Sequence, residues 1–186
     1  MKPRQRQLWY HGGPRIQNWE HVRWDRDRST SDLNAEGPGV YWTTDQEEAW
    51  GYTRGEDATV YVATMRDGFK LLPKKRPTMR ELRDLYELAG YEDQEIFLSN
   101  WGLEMSASRA EIDDALKRYS HQTSLFDASV TLYHDLFRYD SDTYVAAMRS
   151  LGYDGFIVDR GTTGGSRRRK HLILWNPRML DIEEAV

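Results

Sequence analysis

The chain contains no cysteine in its 186 residues. Disulfide bonds, thiolate metal ligands and cysteine nucleophiles are therefore excluded from its fold and its chemistry. The five histidines show no paired spacing, so the sequence predicts no metal site. A Walker motif, a dinucleotide-binding glycine fingerprint and a nucleophile elbow are missing as well.

Long apolar runs are also missing. The mean hydropathy is −0.81, and no stretch approaches the roughly 20 apolar residues with which a helix crosses a bilayer. The basic N-terminal residues are not followed by the apolar segment of a signal peptide. We therefore expect a cytoplasmic protein, of the producing or of a host cell, without a membrane partner. The length fits a single domain over residues 1–186.

Aromatic residues are abundant, with seven tryptophans and eleven tyrosines. The chain is organised around residues 37–52, where a Gly-Pro-Gly turn leads into Val40–Thr43, a short strand of β-branched and aromatic residues. Asp45, or the threonine before it, is suited to cap a helix that follows. This arrangement predicts that Tyr41 and Tyr52 lie near each other, as two rings do where a flat ligand stacks. The alternative is that both rings belong to the core.

Strand-forming segments occupy both ends of the chain, and helical patterns occupy its middle. Residues 78–151 carry apolar residues at helical spacing and two capping-box patterns, which begin at Thr78 and Ser108. The sequence therefore predicts an α+β fold in which this helical insertion separates two β halves. The predicted strands are Trp9–His11, Val40–Thr43, Thr59–Met65, Phe69–Leu72, Phe156–Val158 and Leu172–Trp175.

Ordered motifs on the predicted strands carry a resemblance to a known family. Residues 10–13 read Tyr-His-Gly-Gly, residues 39–43 read Gly-Val-Tyr-Trp-Thr, and residues 49–52 begin the following helix with the pattern Ala-x-x-Tyr. Residues 152–155 and 172–177 form the closing segments, Gly-Tyr-Asp-Gly and Leu-Ile-Leu-Trp-Asn-Pro. With these motifs the chain resembles the ADP-ribosyltransferase superfamily, on the diphtheria-toxin and poly-ADP-ribose-polymerase side, and its phage and bacterial members in particular. The resemblance implies a split β-sheet core.

The resemblance also implies that NAD is the substrate and that the bond between nicotinamide and ribose is broken. His11 is then expected to hydrogen-bond the adenosine ribose, and Gly12 to offer its backbone to the nicotinamide amide. Tyr41 and Tyr52 are expected to hold the nicotinamide ring between them. The catalytic residues implied are His11, Tyr41 and His171, and the NAD-binding residues are His11, Gly12, Tyr41, Thr43, Ala49 and Tyr52.

The sequence departs from the family at one position. The family usually has a glutamate at the beginning of its last strand, where this chain has His171. A neutral histidine can hydrogen-bond a ribose hydroxyl or act as a base, whereas a cationic one opposes the positive charge that develops as nicotinamide leaves. Three alternatives stay open: His171 takes over the role, a carboxylate of the insertion (Glu92, Asp93 or Glu95) reaches the site, or NAD is bound without being transferred.

A basic run precedes the last predicted strand, where transferases of this family carry the loop that recognises the acceptor. It consists of Arg167, Arg168, Arg169 and Lys170. Four adjacent cations attract phosphates or an acidic protein surface. We therefore expect this loop to bind a macromolecular acceptor, either a protein or a nucleic acid. The alternative is an ordinary solvated loop.

Three functions are compatible with these motifs. The first is mono-ADP-ribosyl transfer from NAD to a macromolecule, as a phage or bacterial effector performs it. The second is NAD binding by a catalytically altered module, for which the histidine in place of the glutamate is the evidence. The third is hydrolysis of NAD by a glycohydrolase toxin, with water as the acceptor.

Overall fold

The computed structural model describes residues 6–19, 38–53, 55–160 and 169–185. The chain divides into two compact units. One comprises Met1–Arg23, Gly39–Leu71 and Tyr153–Val186, and the other comprises Trp24–Pro38 and Leu72–Gly152. The described strands all belong to the first unit, and five of the described α-helices belong to the second. The predicted α+β class is confirmed.

The β unit contains six strands and a short α-helix in its described residues. They are β1 (Trp9–Pro14), β2 (Val40–Thr43), α1 (Gln46–Gly51), β3 (Ala58–Met65), β4 (Gly155–Arg160), β5 (Arg169–Leu174) and β6 (Leu180–Ala185). The strands pair antiparallel in one sheet with the order β4-β5-β2-β1-β3-β6. The three N-terminal strands thus form the centre of the sheet, and the three C-terminal strands flank them on both sides.

The sheet opens between its two central strands. β1 pairs with β3 along its whole length, from Trp9 to Pro14. With β2, however, it shares a single registered pair, Tyr10 opposite Thr43. Beyond that pair the two backbones diverge, which leaves a gap in the middle of the sheet on the side of His11 and Gly12.

Aromatic and aliphatic side chains form the core of the β unit. Trp42 and Trp175 are at most 1% exposed, and Val60, Leu172 and Ile173 are fully buried. Burial of each such aliphatic side chain contributes roughly 1.5–3 kcal/mol relative to leaving it in water. The strands that carry the sequence motifs are therefore anchored by their own buried residues.

One predicted strand is wrong. Phe69–Leu72 forms no strand beyond one isolated bridge to Gly155. Both edges of β3 are already occupied, by β1 and by β6, so a return strand has no partner there. The segment turns instead toward Asp154, whose carboxylate accepts a hydrogen bond from the Lys70 amide at 2.8 Å.

Two further differences concern the C-terminal strands. β6 is not among the predicted strands, although Leu180 and Ile182 alternate with acidic residues as an edge strand requires. β5 begins at Arg169, earlier than predicted, because Arg169 and Lys170 already pair with the end of β4. These two residues therefore belong to a strand, and the prediction of a loop over them is wrong.

The described part of the helical unit contains five α-helices, each about three turns long. They are α2 (Met79–Leu88), α3 (Tyr91–Asn100), α4 (Arg109–Lys117), α5 (Leu125–Asp135) and α6 (Ser141–Ser150). Both predicted capping boxes form, at Thr78 with Glu81 and at Ser108 with Glu111. No helix in the described part of the chain has the length and apolar character needed to cross a membrane.

Candidate functional site

The three strands that carry the sequence motifs, β5, β2 and β1, are neighbours in the sheet. His171 of β5 lies opposite Thr43 of β2, and Thr43 lies opposite Tyr10 of β1. Opposed residues of antiparallel strands point to the same face, and successive residues of one strand point to opposite faces. Thr43 and His171 therefore share one face of the sheet, while His11 belongs to the other.

On the face of Thr43 and His171, four side chains form what we call the Glu48 cluster: Thr43, Glu48, Arg169 and His171. The Thr43 hydroxyl donates to Glu48 Oε2 at 2.5 Å, and His171 Nε2 lies 3.2 Å from each carboxylate oxygen. Arg169 Nη1 lies 3.6 Å from Glu48 Oε1. The side chains of Glu48 and His171 are only 14% and 12% exposed. The carboxylate is thus oriented by hydrogen bonds to Thr43 of β2 and His171 of β5, with the Arg169 guanidinium nearby, and it is largely shielded from water.

The start of α1 determines where Glu48 lies. Asp45 is the N-cap, and its Oδ1 accepts hydrogen bonds from the amides of Glu47 and Glu48 at 3.0 and 3.3 Å. The cap predicted at Asp45 or at the threonine before it is confirmed for Asp45. The other Asp45 oxygen lies 3.0 Å from Arg169 Nε. Asp45 accepts the hydrogen bonds of the first-turn amides, and the carboxylate of Glu48 faces β5.

Gly12 explains how close α1 comes to the sheet. A Cβ atom at Gly12 would overlap the carbonyl oxygen of Ala49, which is completely buried. Only glycine permits this approach of helix backbone to strand backbone. Gly12 and Ala49, both predicted to contact NAD, are therefore packed against each other in this structure.

His11 lies on the other face, at the gap in the sheet. Its Nδ1 donates a hydrogen bond to the Tyr41 carbonyl oxygen at 2.8 Å, which bridges β1 and β2 where their backbones have separated. Its ring is 5.3 Å from the ring of Trp42, 5.6 Å from Trp19 and 6.3 Å from Tyr61. The imidazole thus lies near three aromatic rings, and its hydrogen bond to the Tyr41 carbonyl links it to β2, the strand that also carries Thr43.

The two tyrosines predicted to hold the nicotinamide ring belong to β2 and to the end of α1. Tyr41 is half-buried and points to the same face as Thr43. Tyr52 is the C-cap of α1, and its side chain is 53% exposed. Tyr52 therefore contributes little to the core, and its ring is accessible to a ligand.

An open cavity lies on the His11 side of the β unit. It has a volume of about 490 Å³ and is lined by Trp19, Arg66, Pro177, Arg178, Leu180 and Ile182. The indole of Trp19 links the cavity to the ring of His11. Its size is within the range of small-molecule sites.

The predicted acceptor-binding run is only partly described by the structure. Arg167 and Arg168 lie outside the described residues. Arg169 is turned toward Asp45 and Glu48, as given above, and Lys170 is exposed on the opposite face of β5. The structure thus makes Arg169 part of the Glu48 cluster.

Sequence reasoning missed Glu48 as a site residue. It was assigned only to the first turn of a helix, where acids are common for electrostatic reasons alone. The signal that identifies Glu48 is the pairing of β2 with β5. This pairing places His171 opposite Thr43, and the first turn of α1 then brings Glu48 within 3.2 Å of the His171 ring. The carboxylates of the insertion that the sequence left open, Glu92, Asp93 and Glu95, lie on α3 in the helical unit.

Metal-binding groups are not evident in the part of the chain that the structure describes, where no three histidine or carboxylate side chains are arranged to hold an ion. Comparisons of the chain with family models, with curated proteins and with solved structures found no match.

Proposed function

We propose that this protein is a mono-ADP-ribosyltransferase, which cleaves NAD and transfers ADP-ribose to a macromolecular acceptor. NAD is the substrate, and no metal takes part. An effector role in the cytoplasm, of phage or bacterial origin, belongs to the same proposal and rests on the sequence resemblance alone.

One observation carries this proposal. The motif segments around His11, Tyr41 and His171 are far apart in the sequence, yet they form the adjacent strands β5-β2-β1. Thr43 and His171 are directly opposed, and His11 is hydrogen-bonded to the Tyr41 backbone. Chance occurrences of short motifs have no reason to meet in this way. The gap between β1 and β2 supports the split sheet that the resemblance implies.

The site offers the groups that the reaction needs. When nicotinamide leaves, positive charge develops on the ribose ring, and a negative charge nearby lowers the energy of that state. Glu48 provides a carboxylate on the face that also bears Tyr41, beside the guanidinium of Arg169 and the imidazole of His171. Tyr41 and the exposed Tyr52 supply aromatic surface for the leaving nicotinamide.

A second candidate function is NAD binding without transfer. The observation in its favour is His171, which occupies the position of the family's usual glutamate. The carboxylate of Glu48 beside that histidine favours catalysis instead. Hydrolysis of NAD is the outcome if water is the acceptor.

The acceptor is proposed to be a protein or a nucleic acid that approaches the start of β5. Lys170 is exposed there, and Arg167 and Arg168 directly precede the strand in the sequence. Arg169, in contrast, is proposed to serve the site itself.

The test is incubation of the protein in a cell extract with NAD labelled in its adenylate half. Transferase activity predicts label retained on macromolecules, and protease or nuclease sensitivity of that label identifies the class of acceptor. His11→Ala is expected to lose most of the label because the imidazole holds both the adenosine ribose and the Tyr41 backbone. Free ADP-ribose without retained label would indicate a hydrolase, and intact NAD bound to the protein would indicate the binding module.

A further inference from the structure

We propose that Glu48, on helix α1, is the catalytic carboxylate of this site, and that His171 is the residue that positions it. This inference rests on the proposed function and names the group that carries the essential negative charge. In this assignment the catalytic carboxylate belongs to α1, the helix after β2. The resemblance instead places it at the position of His171, on β5.

The position of Glu48 supports this assignment. The resemblance places a glutamate where His171 stands, and His171 Nε2 lies 3.2 Å from both oxygens of Glu48. The carboxylate therefore lies within one hydrogen bond of the side chain at that position. Glu48 therefore offers, from α1, the carboxylate that the resemblance places at the position of His171.

Helix α1 does not depend on Glu48 for its own N-terminus. Asp45 already caps α1, and Glu47 already places an acid in its first turn. Glu48 is nevertheless directed inward and is only 14% exposed. Burying an ionised carboxylate is costly unless hydrogen bonds and opposite charges compensate for the lost water. Thr43, His171 and Arg169 supply that compensation, so the local structure maintains a buried charge that the helix itself does not require.

The groups around the carboxylate are arranged to orient it. The Thr43 hydroxyl donates a hydrogen bond to Glu48 Oε2, and His171 Nε2 lies within hydrogen-bonding distance of both carboxylate oxygens. The guanidinium of Arg169 lies next to the carboxylate, with Nη1 3.6 Å from Oε1. The side chain of Glu48 is thus oriented before the substrate arrives.

The reaction exchanges one bond at ribose C1′ for another, and atoms and charge are conserved. The bond between ribose C1′ and the nicotinamide nitrogen breaks, and nicotinamide leaves as a neutral molecule with the bonding electron pair. Glu48 stabilises the positive charge that develops on the ribose ring. An oxygen or nitrogen atom of the acceptor then bonds to C1′, and its proton passes to the Glu48 carboxylate and from there to solvent. His171 holds the carboxylate in position throughout.

The test compares Glu48→Gln with Glu47→Gln in purified protein supplied with NAD and cell extract. The second substitution removes the same charge from the same helical turn, but at an exposed side chain. Because general acid–base groups contribute about 10²–10⁴-fold to a rate, Glu48→Gln is expected to lower kcat for nicotinamide release by at least about 100-fold. The dissociation constant for NAD, measured by calorimetry, is expected to stay nearly the same, and Glu47→Gln is expected to resemble the wild type.

A carboxylate exchange sharpens the test. In the double variant Glu48→Gln/His171→Glu, the negative charge moves to β5 and an amide faces it from α1. We expect this variant to recover part of the activity that Glu48→Gln loses, which a damaged fold would not do. If Glu48→Gln proves unstable, Glu48→Asp replaces it, with a lower kcat and unchanged NAD affinity expected.

The outcomes separate this inference from the proposed function. If the wild type cleaves NAD while Glu48→Gln or Glu48→Asp does so at the same rate, or Glu47→Gln loses as much activity, the assignment of Glu48 is overturned and the proposed function stands. If the wild type neither binds nor cleaves NAD, the proposed function fails and the inference fails with it.

Discussion

Gly12 is the residue on which the geometry of the site depends most directly. It lies on β1 beneath Ala49, and the absence of a side chain lets the backbone of α1 rest on the strand. The same helix carries Glu48 to the Glu48 cluster. Gly12 on β1 thus lets α1 approach the sheet closely, and this helix brings Glu48 next to His171 of β5.

Gly12→Ala is expected to displace α1 and to destabilise the protein by about 1–3 kcal/mol, the usual cost of forcing extra atoms into a packed contact. Denaturant unfolding measures this change. Gly51→Ala, on the same helix, provides the control because a Cβ atom there meets nothing within 4 Å, and alanine is favoured over glycine in helices by about 0.5–1 kcal/mol. Equal stability of Gly12→Ala and the wild type would contradict the close packing of α1.

Tyr52 has a different role, because its ring is exposed and contributes little to the core. If it stacks on nicotinamide, Tyr52→Ala is expected to weaken NAD binding by roughly 2- to 12-fold, which corresponds to the 0.5–1.5 kcal/mol typical of an aromatic pair. The melting temperature should hardly change. Trp50→Ala is the matched control, since Trp50 lies on the same helix and is similarly exposed, at 48% against 53%. Equal effects of the two substitutions would remove Tyr52 from the site.

At the scale of elements, the helical unit is held together by pairs of helices. Arg83 of α2 and Asp113 of α4 form a two-point ion pair, with distances of 2.5 and 2.6 Å. The hydrogen bonds from Arg83, together with its positive charge, lower the pKa of the Asp113 carboxyl. Because the pKa is lower in the folded protein than in the unfolded chain, this pair stabilises the fold above the unfolded pKa and loses that effect as the pH falls through the folded pKa.

Asp113→Asn is therefore expected to reduce the free energy of unfolding at neutral pH and to have no effect in strongly acidic solution. Denaturant unfolding across this pH range provides the measurement. Asp114→Asn removes an exposed charge from the adjacent position of α4 and is expected to show little of this pH dependence. A constant difference between Asp113→Asn and the wild type at all pH values would show that the ion pair does not stabilise the fold.

Elements with local signals could be predicted from the sequence, and elements that depend on distant partners could not. The strand Val40–Thr43 and both capping boxes were predicted because their residues determine the local backbone. The predicted strand Phe69–Leu72 failed because β6, from the other end of the chain, occupies the edge of β3. The early start of β5 likewise depends on pairing with β4, which no local pattern encodes.

At the scale of the whole molecule, the same distinction applies to the site. The sequence identified His11, Tyr41 and His171 as candidates because they follow short motifs. It did not identify Glu48, because its significance arises only when α1 lies over β1 and β5 pairs with β2. The sequence assigned Arg169 to acceptor binding, whereas in the structure its guanidinium is turned toward Asp45 and Glu48. We propose that the carboxylate is Glu48, next to the second motif, whereas the insertion carboxylates that the sequence left open, Glu92, Asp93 and Glu95, lie on α3.

We propose that the β unit cleaves NAD on the face that bears Tyr41 and the Glu48 cluster. The decisive measurement is release of nicotinamide from NAD, followed by chromatography for the purified protein with cell extract and for the variant Tyr41→Ala. We expect release well above that of the extract alone for the wild type, and a clear loss for the variant, because its β2 no longer offers an aromatic surface to the leaving group. No release by the wild type, or equal release by Tyr41→Ala, would contradict it.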